Sequence, residues 1–280
     1  MLALVTSSPA RALDTDLPLL VAELPEATVV TWDDRTVDWS AFGAVVLRST
    51  WDYHAHLEPF LAWARSVAAV TALWNPPRLI EWNTDKRYLL DLAASGVPIV
   101  PTRFVAATDE LPRCGGDIVV KPAVGAGSVD VRRFGDDPAG AHEHIDALRA
   151  RGAVAMVQPY VSAIDERGET GLVFVGGVFS HAFRKEPILA STIEWEAVAG
   201  EQAMFARERV TATVASPAER ELGERVVAAL PSTAYARVDL LPTDDGPVLL
   251  ELEVVEPSLF LHLDPAAPAR AAAVFRNLLA

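Results

Sequence analysis

The chain opens with an apolar run, Leu2-Ala3-Leu4-Val5, bounded by the polar loop 6–16. So short a run between turn signals predicts a buried strand. Residues 16–24 (DLPLLVAEL) predict a short helix, 27–32 (ATVVTW) a second strand and 42–50 (FGAVVLRST) a third that ends in polar residues. Residues 58–70 (EPFLAWARSVAAV) alternate at helical spacing. The stretch 71–83 (TALWNPPRLIEWN) reads as an apolar start halted by proline. Strands interleaved with helices over the first 80 or so residues predict a small α/β domain. Ligands of such domains bind beyond the carboxyl ends of the strands, where Arg48 and Asp52 fall.

The pattern then changes. Leu89, Leu90, Leu92 and Ala93 form a helical stripe that opens at Lys86 and is closed by Gly96 and Pro98. Residues 117–134 read as strand, small-residue loop and strand, 142–152 as a helix, and 153–161 as a strand. A hairpin is predicted over 170–187 around Gly176-Gly177. Ser216 with Glu219 forms a capping box before the helix 216–230. Two further strands, 235–241 and 247–257, flank the acidic turn PTDDG, and ARAAAVFRNLL predicts a closing helix.

Composition narrows the function classes. Of 280 residues 51% are hydrophobic, enough for a large core shared between lobes. A net charge of −14 without a useful basic run argues against binding a nucleic-acid backbone. A single cysteine, Cys114 in a turn-like PRCGG, excludes an internal disulfide and reads as a bystander thiol. The N-terminus lacks the basic region of a signal peptide, and no uncharged apolar stretch spans a membrane, so a cytoplasmic location is expected.

The chemistry concentrates in a few places. Glu251 and Glu253 alternate along one strand and leave the same face about 6.5 Å apart. Bare, they repel by roughly 2.5 kcal/mol at an effective dielectric of 20, so water, basic groups or divalent cations must answer them. Asp239 and Arg237 show the same spacing on the preceding strand. If the two strands pair, three carboxylates converge as an oxygen donor set suited to Mg²⁺, and neutralising Glu251 is expected to relieve the nucleotide-free protein. A solvated acidic face explains the same residues equally well. Lys121 ends the apolar strand IVVKP, and Gly125, Gly127 and Ser128 follow in a loop whose amides could hold phosphate oxygens. A surface hairpin with a solvated lysine is the plainer account of those residues alone, and the loop is not a Walker loop. Arg184 and Lys185 alternate to opposite strand faces, so one could line a cleft while the other faces water. His54 and His56, and His142 and His144, lack the further ligands of a metal site.

Taken in order, these pieces resemble the ATP-grasp superfamily, in the branch of glutathione synthetase and the RimK-type ligases. The pieces are Lys86, Lys121 before its glycine loop, Gln158-Pro159-Tyr160, Arg184-Lys185, Arg237-x-Asp239 and Glu251-x-Glu253. RSTWDYH, NPPRLIEWNTDKRYLLDL, FSHAFRKEP and LELEVVEPSLF are similar, more narrowly, to the cyclo-ligase of D-cycloserine biosynthesis and its relatives. The resemblance implies an N-terminal α/β domain (1–83), a central lid lobe (84–160) and a C-terminal catalytic lobe (161–280), with ATP between the last two. It implies Lys86 and Lys121 as nucleotide lysines, Gly125, Gly127 and Ser128 as a mobile phosphate cover, and Gln158, Tyr160 and Val161 as the adenine hinge. Glu166 would meet the ribose. Asp239, Glu251 and Glu253 would bind Mg²⁺, and Arg237, with Arg184 and Lys185, would serve catalysis. Arg48, Asp52 and Arg184 would hold an amino-acid substrate. Two departures stand out: Glu253 replaces a customary asparagine, and GLVF at 171–174 lacks a customary arginine. The implied activity is an ADP-forming carboxylate–amine ligase acting through an acyl phosphate, within one molecule as on O-ureido-D-serine or between two. A nucleotide-binding protein without turnover is the alternative of another class. The oligomeric state stays open between monomer and homodimer.

Overall fold

The computed structural model describes residues 1–127, 129–186 and 209–279, and three sheets organise them. The first holds β1 (Leu2–Thr6), β2 (Thr28–Thr31), β3 (Ala44–Ser49) and β4 (Ala72–Trp74), all parallel in the order β2-β1-β3-β4. Its central strands, β1 and β3, are buried at every position because both faces are covered, and are apolar except for Thr6, Arg48 and Ser49 at their carboxyl ends. Leu2 and Leu4 meet Leu17 and Leu20 of α1 (Asp16–Glu23), while Ala3 and Val5 share a cluster with Phe60 and Leu61 of α2 (Leu57–Ala68).

The stretch 71–83 departs from its expected reading. Pro77 does not stop a helix but starts one, α3 (Pro77–Asn83), because at the first helical position its missing N–H costs nothing. The helix after it, α4 (Tyr88–Ala94), begins two residues later than expected, so Lys86 sits in the turn between the two helices.

The second sheet is antiparallel, in the order β5 (Arg103–Val105), β8 (Ala155–Pro159), β6 (Ile118–Pro122), β7 (Arg132–Phe134). Helix α5 (Pro138–Ala150) lays Ile145 and Leu148 on it; it starts earlier than expected, capped by Asp137 with Pro138 at its first turn. A single turn, α6 (Ile164–Arg167), leads to the third sheet, β11 (Val210–Thr213), β10 (Val178–Lys185), β9 (Glu169–Val175), β12 (Tyr235–Thr243), β13 (Gly246–Glu253), again antiparallel. Alternation divides its faces. Leu172, Phe174, Ala236 and Val238 pack against Leu222 and Val226 of α7 (Pro217–Ala228), which carries the expected Ser216–Glu219 capping box. Val173, Val175, Phe183 and Tyr235 pack against the closing helix α8 (Ala267–Asn277), whose Phe275 also reaches the first sheet's cluster. Further along the same face come Arg237, Asp239 and Lys185.

Strand β13 is an edge strand, and side chains supply what a neighbouring strand would. Asn83 donates to Leu252 O at 2.8 Å and accepts from Val254 N at 3.0 Å. The Tyr88 hydroxyl bonds both the carbonyl and the amide of Leu252, at 2.9 and 2.8 Å. Asn75 donates to Tyr235 O at 3.1 Å and Val254 O at 2.6 Å and accepts from Ala234 N at 2.8 Å. Buried backbone groups left unbonded cost about 1–3 kcal/mol each, so these three side chains hold β13 against the first domain. Among the described residues no helix is long and apolar enough to cross a membrane.

Asn75 is fully buried and makes three bonds to backbone groups that water does not reach. Asn75→Ala is expected to lower unfolding stability by about 3 kcal/mol, measured by urea unfolding followed through tryptophan fluorescence. A loss within about 0.5 kcal/mol would show that this anchor is dispensable.

Candidate active site

One cleft of about 390 Å³ runs between the three sheets. Its floor is the polar half of the β12–β13 face. The antiparallel register sets Asp239 opposite Glu251 and Arg237 opposite Glu253, so the alternation read from the sequence does bring these carboxylates to one surface.

They are not bare. Glu251 lies 3.0 Å from Lys86 Nζ and 4.0 Å from Lys121 Nζ. Asp239 takes two arms of the Arg237 guanidinium, at 3.0 and 2.8 Å, and Lys185 Nζ at 3.3 Å. Glu253 pairs with the same guanidinium, and Lys185 also meets Glu169 at 3.1 Å. The expected self-repulsion is therefore answered in part: cations of the chain itself meet the charge on Glu251 and Asp239, while both still press on Glu253. Burial presses the Glu251 carboxyl upward, but Lys86 and Lys121 outweigh it and hold it below the usual range. Burial acts likewise on Asp239 and is outweighed by Arg237 and Lys185. Glu253 differs: burial pushes it up to about 7, with Asp239 and Glu251 adding to Arg237's failure to hold it down.

The two lysines also differ. Burial disfavours charge on Lys86, yet Glu251 more than offsets it, and Lys86 Nζ donates to Gly125 O at 2.9 Å. Its own amide donates to Ala123 O at 2.8 Å. Lys86 thus ties the glycine loop to β13. Lys121 makes no hydrogen bond to a described residue. Burial lowers its pKa, Glu251 opposes this from 4.0 Å, and Lys86 adds repulsion. Lys121 is buried in the cleft wall, and its ammonium spends no donor on a described residue.

The glycine loop stands over these charges. Gly125 and Gly127 line the cleft, and Gly127 has φ 62°, the left-handed region that favours glycine; Ser128 lies outside the described residues. Val100, Val119, Val161, Ile164, Leu241 and Leu250 give the cleft an apolar lining, and Val119 pairs across the sheet with Gln158, which lines it together with Pro159 and Tyr160. Gln158 is buried and donates to Thr102 Oγ1 at 2.9 Å. Tyr160 is held by its amide on Asp117 O at 2.8 Å, by the Arg133 guanidinium stacked 3.5 Å from its ring centre, and by its hydroxyl on Asp165.

Four expected residues stand elsewhere. Arg184 follows the β10 alternation to the α7 side, 3.8 Å from Glu219, so of the pair only Lys185 enters the cleft. Glu166 is exposed on α6 and does not line the cleft; Glu169, three residues on, does. Asp52 accepts a bond from Trp32 Nε1 at 2.9 Å, outside the lining. Arg48 is buried, donates to Pro257 O at 2.9 Å and lies over the Tyr235 ring, bracing the chain after β13. Within GLVF, one position has no room for any larger side chain. At Gly171 a Cβ would fall 2.0 Å from the Phe183 ring, which fills that space. Sequence reasoning missed Tyr53, Glu256 and Phe260, which line the cleft with Trp51, a residue placed by the sequence at the ligand-binding end of the third strand. Their signal was the third acid of ELEVVEP, to which no role was given.

Comparison with known proteins places the chain in a family. Residues 2–75 match the family described as D-cycloserine synthetase DcsG, N-terminal domain. The cycloserine biosynthesis protein DcsG of Streptomyces lavendulae is 39% identical over 279 residues, spanning 93% of each chain. The crystal structure of D-cycloserine synthetase DcsG superposes with a TM-score of 0.86 at 33% identity, over 100% of this chain and 99% of that one. An ATP-grasp RimK domain protein from Sphaerobacter thermophilus shares the fold, with a TM-score of 0.69 at 18% identity, over 99% of this chain and all of its own. Identity of this order over nearly the full length of both chains means that the protein belongs to the DcsG family of D-cycloserine synthetases and carries the ATP-grasp fold.

Proposed function

We propose that the chain is an ADP-forming ligase that activates the carboxylate of an amino-acid derivative with ATP and closes a ring within that molecule. The family points to O-ureido-D-serine as substrate and D-cycloserine as product. The observation that carries the reading is the register of β12 and β13, which gathers Asp239, Glu251 and Glu253 under Lys86, Lys121 and the glycine loop. The apolar lining, with Gln158 and Tyr160, suits a flat purine, and the loop 125–127 suits the phosphates.

The donor set fits Mg²⁺ entering with the nucleotide. Among the described residues no group of three or more acids, histidines or cysteines is closed round one point, and Mg²⁺ usually takes only one or two carboxylates besides waters and substrate phosphates. When bound, Mg²⁺ would neutralise charge on the transferring phosphoryl group. The chain's own residues supply the rest. Lys121 offers its free donors to phosphate oxygens. Arg237 and Lys185 stand on the floor where charge develops during transfer. A substrate carboxylate oxygen attacks the terminal phosphorus and ADP leaves; the oxygen-bound nitrogen of the same molecule then attacks the acyl carbon, gives up its proton, and phosphate leaves. Reaching D-cycloserine also requires water to cleave the carbamoyl group from that nitrogen, which departs as carbon dioxide and ammonia. The glycine loop, tied through Lys86, shields the acyl phosphate from water.

Incubation with O-ureido-D-serine and Mg-ATP is expected to yield one ADP and one phosphate for each cyclised product, followed by phosphorus NMR and product mass. AMP with pyrophosphate, or no nucleotide consumption, would reject the reading. Two substitutions separate the charges that hold the site from those that wait for ligand. Lys121→Met removes no hydrogen bond to a described residue and relieves a buried charge. It is expected to leave the melting temperature within a degree or two while weakening ATP binding by about 30-fold, the worth of one or two charged hydrogen bonds. Glu251→Gln strips the counter-charge from Lys86 and Lys121 and is expected to lower the melting temperature of nucleotide-free protein and turnover by at least about 100-fold. Scanning calorimetry and titration calorimetry check both. A stabilised Glu251→Gln would restore the view that the carboxylates repel one another.

A further inference from the structure

The segment after β13, Val254 to Leu261, is pinned to the first domain almost residue by residue. Trp51 Nε1 donates to Glu256 O at 2.9 Å, Arg48 to Pro257 O at 2.9 Å, and the Tyr235 hydroxyl to Val255 O at 2.8 Å. Asp16, buried in the first domain, accepts the amides of Leu259, Phe260 and Leu261 at 2.6, 3.1 and 2.7 Å. So much anchoring fixes where the Glu256 side chain is. It lines the cleft, yet only 8% of the residue is exposed, and its carboxyl makes no hydrogen bond or ion pair with a described residue. Tyr53, near enough for Glu256 to act on its hydroxyl, is also a buried residue, and that hydroxyl makes no hydrogen bond to a described residue. A buried carboxyl without a partner costs folding energy, so it calls for a ligand.

The surroundings state which ligand. Trp51, Tyr53 and Phe260 line the same cleft: Trp51 is bonded to the Glu256 carbonyl, Tyr53 feels the Glu256 charge, and Phe260 is pinned four residues along the same segment. Aromatic rings round a carboxylate make a receptor for an organic ammonium: the ring faces attract the cation and the carboxylate pairs with it. Anions are opposed there, since Glu251 and Glu253 already act on Glu256. A carboxylate substrate must still present its reacting end toward Arg237 and Lys185, which lie on the adjoining floor. A molecule with an ammonium at one end and a carboxylate near it satisfies both ends of this field.

We propose that Glu256, framed by Trp51, Tyr53 and Phe260, receives the substrate's ammonium group and makes the enzyme select α-amino acids over the same acids lacking the amine. The assignment rests on the ligase reading above and adds to it the residue that reads the amine. Burial, followed by Glu253 and Glu251, pushes the Glu256 carboxyl well above the usual range against Lys86 and Arg237. Arrival of an ammonium supplies the counter-charge that its burial withholds.

The test pairs O-ureido-D-serine, D-serine and D-alanine with their counterparts lacking the amine. Binding is measured by calorimetry in the presence of Mg²⁺ and a non-hydrolysable ATP analogue, and turnover by ADP release. The wild-type protein is expected to prefer the aminated member of at least one pair by tenfold or more. Glu256→Gln should reduce that preference to within about threefold while leaving affinity for the ATP analogue and the Mg²⁺ requirement within twofold. Tyr53→Phe should reduce it by a smaller factor, and it covers the case in which Glu256→Gln fails to fold. A preference unchanged in both variants overturns the inference, as does a wild-type protein with no preference in any pair. A shifted Mg²⁺ requirement with the preference intact also overturns it, because Glu256 would then serve the metal. The outcomes separate the two readings: preference lost in Glu256→Gln without any ring closure by wild type sinks the cyclo-ligase reading alone, and ring closure with preference unchanged in both variants sinks the ammonium assignment alone.

Discussion

Glu251 stands between two lysines, 3.0 Å from Lys86 and 4.0 Å from Lys121, and the rest of the site is arranged round that contact. The three residues come from different parts of the chain: an edge strand of the third sheet, the turn between α3 and α4, and the end of β6 in the second sheet. Their shared charge draws these parts to one point. Removing either sign leaves buried charge of the other, which costs more than the pair yields. The arrangement therefore has to exist as a whole, and the same holds beside it for Asp239 between Arg237 and Lys185.

Such a cluster needs a rigid support. Asn75, Asn83 and Tyr88 act as surrogate strand for β13, and Asp16, Arg48 and Trp51 do the same for the segment after it. Several of these residues carry charge or lie at strand ends, and from the sequence alone they pass for ligand-binding groups. Arg48 is the clearest case. Its position after an apolar strand suits a substrate contact, but it stands outside the cleft lining and its Nη2 donates to the backbone that places Glu256, while Nε and Nη1 bond no described residue. The first domain thus shapes the cleft chiefly by bracing the third sheet's continuation.

Local patterns were legible where one rule dominates. The period-two alternation of Arg237, Asp239, Glu251 and Glu253 foretold a common face, and the Ser216–Glu219 box foretold a helix start. Both depend on neighbours in sequence. The order of lysines, glycine loop and acidic pair pointed to the ATP-grasp fold and to the D-cycloserine synthetase relatives, which the long-range identities bear out. What was not legible depends on partners remote in sequence. Pro77 opens α3 instead of closing it, because the chain turns there to deliver Asn83 to β13. Short β5 and β11 carry too few residues to show a period. The side of β10 that faces the cleft was undecided until Glu219 claimed Arg184 and Asp239 claimed Lys185. The expected repulsion between Glu251 and Glu253 persists in the raised Glu253 carboxyl; what was not legible is that Lys86 and Lys121, more than 100 residues away in sequence, offset the charge on Glu251.

On this account the protein's own cations hold the carboxylates in the absence of nucleotide, and phosphates draw those cations off as Mg²⁺ enters. Titration calorimetry of Mg²⁺ with and without a non-hydrolysable ATP analogue tests this directly. The account predicts weak or undetectable Mg²⁺ binding alone and an increase in affinity of at least about tenfold with the analogue bound. Mg²⁺ binding of equal strength in the two conditions would contradict it, because the carboxylates would then form a metal site that owes nothing to the nucleotide.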